Sequence, residues 1–185
     1  MKIAILGWGS LIWQPKELNY NKEFGWINDG PSLPIEFARI SNNGRLTLVI
    51  TKDGTELQTL YTLSNYKNTE EAVLDLAVRE GSGRKSIGSY EKAKKEFSDN
   101  NFPFRDKIIE WIDRTDFDAV IWTNLEENWQ QKTNYKDRIE YLKSLKGATS
   151  TLAEEYIRKT PEQIRTEYRL KIEEQLNWLP ILKIN

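Results

Sequence analysis

Residues 3–13, IAILGWGSLIW, constrain the fold more than any other stretch of the chain. Ile3, Ala4, Ile5 and Leu6 are apolar without alternation, as in a strand covered on both faces. Such a strand belongs inside a sheet, with layers packed on either side. Gly7 and Gly9 then interrupt the run. Two glycines one residue apart open backbone angles closed to other residues and let a ligand approach bare amides. With the Ser10 hydroxyl, Gly7, Trp8, Gly9, Ser10 and Leu11 make a turn suited to a small anion or a carbonyl oxygen. The plainer alternative is a tight turn after a first strand.

Missing residue types narrow the chemistry. The 185 residues include no histidine and no cysteine. That excludes disulfides, thiolate nucleophiles, Ser-His-Asp triads and the usual zinc sites. Reactions must run on carboxylates, hydroxyls, amines and backbone amides. With no D-x-D-x-D-G run either, neither a metal nor a cofactor is expected. The net charge is −1 with both signs interspersed, which leaves no basic field for nucleic acid or an anionic membrane. No apolar run reaches the length of a membrane span, and Pro15 with charged residues follows the first apolar stretch where a leader would carry a cleavage site. The expectation is a single cytosolic domain over 1–185, large enough for a real core, acting on a small molecule.

Three runs after the turn signal Asn28-Asp29-Gly30-Pro31 alternate as strands: Leu33–Ser41, Arg45–Lys52 and Glu56–Leu63. Asn42-Asn43-Gly44 and Asp53-Gly54 supply tight turns between them, which predicts an antiparallel meander. Asn68 with Glu71 has the spacing of a capping box, and Ala72, Val73, Leu76 and Ala77 share one helical face up to about Glu80, before Gly81. Gly81 to Tyr90 read as flexible, and residues 91–101 as a charged stretch that forms a solvated face or loop. A helix is expected over Phe104–Asp113, a short buried strand over Asp118–Asn124, and helices beyond, with starts at Tyr135, Thr151 and Thr160-Pro161. Strands first and helices later make this an α+β chain.

Glu80 is the candidate catalytic residue. It lies three, four and seven residues beyond Ala77, Leu76 and Val73, so it continues the apolar stripe and points inward. Burial and the negative end of the helix dipole there favour a carboxyl that exchanges protons. The competing reading is an ion pair with a strand arginine such as Arg39 or Arg45.

Gly7-Trp8-Gly9-Ser10-Leu11 resembles the aromatic-Gly-Ser-Leu loop after the first strand of gamma-glutamylcyclotransferase-like proteins, with Trp8 where that family usually has tyrosine. Glu80-Gly81, beyond the strands, is similar to the family's catalytic Glu-Gly. The resemblance covers the first half of the chain. It implies a mixed, largely antiparallel sheet or small barrel flanked by helices, with a helical C-terminal third that has no counterpart in the motifs. It also implies a reaction in which the α-amine of a γ-glutamyl compound attacks its own side-chain carbonyl and releases 5-oxoproline. Glu80 would be the acid–base group, the loop amides of Gly7 to Leu11 would hold substrate, and Tyr90 and Arg84 are further substrate-binding candidates. A non-catalytic small-ligand binding protein on the same scaffold is the alternative.

Overall fold

The computed structural model describes residues 1–129 and 135–181. The chain forms two compact units, one of Met1–Gly7, Gln14–Leu33 and Gln58–Leu125, the other of Trp8–Trp13, Pro34–Leu57 and Glu126–Asn185. Both sheets are open, so of the two expected architectures the described residues adopt the mixed sheet and not the barrel.

The first unit is built on a five-stranded sheet. Strand β1 (Ile3–Gly7) lies inside it, buried at every residue as its unbroken apolar run requires. One neighbour is β5 (Leu60–Leu63), antiparallel; the other is β8 (Ala119–Thr123), parallel, with Ile3 opposite Ala119 and Ile5 opposite Ile121. Beyond β8 come β6 (Ile87–Glu91) and the two-residue β7 (Glu96–Phe97). Helix α1 (Thr69–Glu80) packs on β8 and β6, and α2 (Arg105–Asp113) buries Ile108, Trp111 and Ile112. Gly88 is a steric requirement: a Cβ there would overlap the buried Trp122 ring.

In the second unit β2 (Ser32–Ile40) is flanked by β3 (Leu46–Ile50) and β4 (Thr55–Gln58). Helices α3 (Tyr135–Ser144), α4 (Gly147–Lys159) and α5 (Glu167–Leu176) complete it.

Four sequence expectations are corrected. The meander is not a simple one, because β4 pairs with β2 and the run 56–63 breaks at Thr59 into strands of different sheets. Thr59 is fully buried, and its amide and hydroxyl both donate to the Pro31 carbonyl, which bends the chain out of line. Residues 87–97 form a hairpin where a flexible segment to Tyr90 and a charged face or loop beyond it were expected, and Lys95 at φ 54° closes it. The helix expected from Thr151 begins at Gly147. Thr160-Pro161 starts no helix. The Arg169 guanidinium takes the carbonyls of Thr160, Pro161 and Ile164, which a helix would need for itself, so α5 begins later with Thr166 as its cap.

Candidate active site

Glu80 is the last residue of α1. The helix starts as its sequence directs, with the Asn68 side chain accepting from the amides of Glu70 and Glu71. It stops at Gly81 in the left-handed conformation, where the Gly81 amide donates to Val78 O and the Ser82 amide to Ala77 O. This paired closure needs a residue at positive φ, hence glycine. Val73, Leu76 and Ala77 are buried as the stripe requires.

The carboxylate at the end of that stripe is not alone. Arg79 Nη1 donates to Glu80 Oε1 at 2.6 Å, with the two side chains 5% and 15% exposed. Neighbours in sequence cannot normally meet across a helix surface; these meet because Glu80 is the terminal residue and its side chain is free to fold back. Thr123 Oγ1 also donates to Oε1, at 3.3 Å. Both protein donors therefore converge on one oxygen, and among the described residues no hydrogen bond reaches Oε2.

Around Glu80 the first unit gathers both ends of the glycine loop. Thr123 ends β8 as Gly7 ends β1, and the parallel register of those strands puts both at the same edge of the sheet. Arg79 Nη2 donates to Gln14 O at 2.7 Å. Gly7 and Gln14, the residues that bracket the loop, thus belong to the edge where the carboxylate is held. The carboxyl ends of parallel strands are where open α/β sheets bind ligands.

The loop between them lies in the second unit. Trp8 and Leu11 are buried, Ser10 is half-buried, and the Ile12 amide closes a turn on Gly9 O at 3.0 Å. Gly9 was expected to serve a backbone angle, yet it does not occupy positive φ. Its lack of a side chain answers to Tyr156 of α4, whose hydroxyl would lie 2.6 Å from a Cβ at that position. The Tyr156 hydroxyl also accepts from Leu48 N, and its ring meets Trp13 edge-on at 5.3 Å.

Two other candidates sit apart from Glu80. Arg84 pairs with Glu70 at 2.5 Å, both more than half exposed. Glu70 is ten residues from Glu80 on α1, about 15 Å along the axis, so Arg84 serves the opposite end of the helix. Tyr90 is buried on β6 with its ring 4.4 Å from that of Phe97. Burial, aided by the charge of Asp113, pushes its phenol above the ordinary tyrosine range.

Sequence reasoning missed Arg79 and Tyr156. Arg79 had a signal, for it stands three beyond Leu76 and seven beyond Ala72 and so shares the buried face. Of the arginines considered as partners of Glu80, Arg39 donates to Glu126 O and Arg45 to Asn43 Oδ1. Among the described residues no group of three or more Asp or Glu has metal-site geometry, and no helix is long and apolar enough to cross a membrane.

No protein-family model matches this chain, and no curated protein sequence matches it. Solved structures do show similarity. One of them is a gamma-glutamyl cyclotransferase specific to glutathione, from yeast, with a TM-score of 0.46 and 14% identity over 100% of this chain and 90% of that one.

Proposed function

We propose that the chain is a γ-glutamyl cyclotransferase that releases 5-oxoproline from a γ-glutamyl amino acid, peptide or amine. The observation that carries this reading is the half-engaged carboxylate of Glu80: Oε1 fixed by Arg79 and Thr123, Oε2 left to exchange a proton. The substrate brings its own nucleophile, so no enzyme nucleophile is required, and ring closure benefits from intramolecular proximity. Glu80 Oε2 accepts a proton from the α-ammonium. The freed amine attacks the γ-carbonyl, the new C–N bond closes the five-membered ring, and the old amide C–N bond breaks. Glu80 returns that proton to the leaving nitrogen, and the second proton, shed by the ring nitrogen as the lactam forms, passes through Glu80 to the released amine, which departs as its ammonium.

The test is 5-oxoproline release from a panel of γ-glutamyl compounds by the wild-type protein and by Glu80→Gln. Release should occur with at least one compound and fall about a hundredfold to ten-thousandfold in the variant, the range of a positioned acid–base group. A second reading, a non-catalytic ligand-binding protein, is favoured by the Arg79 contact, since an ion pair gives Glu80 a structural role by itself. It predicts ligand binding with no release from any compound.

A further inference from the structure

Helix ends fray, and Glu80 is the last residue of α1. Arg79 belongs to the same turn, so its contact by itself ties Glu80 to the helix end and not to the sheet. The other arm of Arg79 reaches Gln14 O, on a residue outside every helix and strand. Thr123 has a different footing. It ends β8, which has β1 on one side and β6 on the other. Its backbone lies opposite Ile87, and the next amide, that of Asn124, donates to Ser86 O at 2.8 Å. Alternation along β8 sends the Trp122 ring against Phe102, centroids 4.9 Å apart, and turns Thr123 to the opposite face, where its hydroxyl meets Glu80. All of these residues belong to the first unit.

The two donors do different things. A carboxylate held through one oxygen by one neighbour can still swing about that contact. A second donor on the same oxygen, coming from another element, removes that freedom and leaves the other oxygen facing one way. Arg79 supplies charge, at 2.6 Å; Thr123 supplies direction, at 3.3 Å. Threonine meets both demands of the position: its branched side chain has few rotamers and suits a strand, and its hydroxyl donates to an ionised carboxylate, which can only accept.

We infer that Thr123 is a positioning residue, whose hydroxyl ties the Glu80 carboxylate to the edge of the sheet and so aims Oε2 for proton exchange. This rests on the cyclotransferase reading and adds to it a residue that acts through Glu80.

The experiment compares Thr123→Val and Thr123→Ser with wild type in 5-oxoproline release from a γ-glutamyl compound that wild type turns over, with rates taken per folded molecule by circular dichroism. Valine keeps the shape and the strand preference without the hydroxyl; serine keeps the hydroxyl without the methyl. Thr123→Val should lower kcat by about tenfold, the low end for a hydrogen bond to a charged group, with KM changed by less than about twofold. Thr123→Ser should stay within about threefold of wild type. A packing role predicts the opposite order, because serine is the weaker strand former and leaves the methyl site empty. If Thr123→Val yields no folded protein, Thr123→Ala against Thr123→Ser isolates the hydroxyl in the same way. A hydroxyl-free variant at the wild-type rate, or Thr123→Ser the slower of the pair, would overturn the inference and leave the cyclotransferase reading intact. A rise in KM with kcat unchanged would place the hydroxyl on the substrate and also overturn it. Release from no γ-glutamyl compound by wild type would overturn both readings together.

Discussion

Each unit places a glutamate where water is scarce, and the two are handled in opposite ways. Glu80, in the first unit, closes a helix at its C-terminus, the negative end of the dipole, and is met there by the Arg79 guanidinium. Glu36, in the second, sits in β2 at 2% exposure with no ion-pair partner among the described residues. It faces the N-terminus of α5: Oε2 accepts from the Tyr168 amide and from Thr55, and Oε1 from the Phe37 amide. Burial pushes the Glu36 carboxyl above the usual carboxylate range, while hydrogen bonds from Thr166, Phe37, Tyr168 and Thr55 pull it back. A helix C-terminus must supply a cation to keep a carboxylate, whereas a helix N-terminus does the work with amides. Glu36 has every oxygen engaged and caps a helix. Glu80 keeps one oxygen open, which is what the cyclotransferase reading requires of a group that exchanges a proton.

The comparison breaks most severely through Arg79→Met. Removing the guanidinium leaves Glu80 beside apolar side chains with no counter-charge, and urea unfolding should show a loss of about 3 kcal/mol. A cost below about 1 kcal/mol would reduce the contact to the rank of a surface pair. Next is Glu36→Gln, which puts an amide nitrogen against a Phe37 or Tyr168 N–H. Stranding one such donor should cost about 1–2 kcal/mol at neutral pH, measured in the same way.

A smaller effect is the pH dependence of that cost. Because the folded Glu36 carboxyl is raised, its contribution to stability is fully present below the ordinary carboxylate value and is lost as pH rises through the elevated one. Its protonated oxygen can still accept from an N–H, which an amide nitrogen cannot. Glu36→Gln should therefore cost more at pH 5 than at pH 8; the reverse order would mean that the buried carboxylate is held charged. Smallest of all is chelation. Both glutamates take hydrogen bonds from protein donors, and among the described residues no group of three or more Asp or Glu could hold a metal ion, so EDTA should leave 5-oxoproline release unchanged; loss restored by a divalent ion would reveal a missed oxygen-ligand site.

Local signals carried far in this sequence. The unbroken apolar run of β1 and the Asn68 and Gly81 caps of α1 each depend on neighbours a few residues away, and each is found as expected. What the sequence concealed was set by distant partners. Thr59 breaks a strand because of Pro31. Arg169 denies Thr160-Pro161 its helix by taking the carbonyls. At Gly9 a Cβ would meet the hydroxyl of a tyrosine 147 positions on, and no periodicity announces that. Tyr90 followed the same logic in reverse: alternation along β6 sends it against Phe97.

The account stands on one carboxylate being chemical and the other structural, so the two amide variants belong in one assay. Glu80→Gln and Glu36→Gln should be compared for 5-oxoproline release per folded molecule, with a compound that wild type turns over. The account predicts a loss of about a hundredfold or more for Glu80→Gln and less than about threefold for Glu36→Gln. Glu80→Gln protein that is folded and fully active would contradict it.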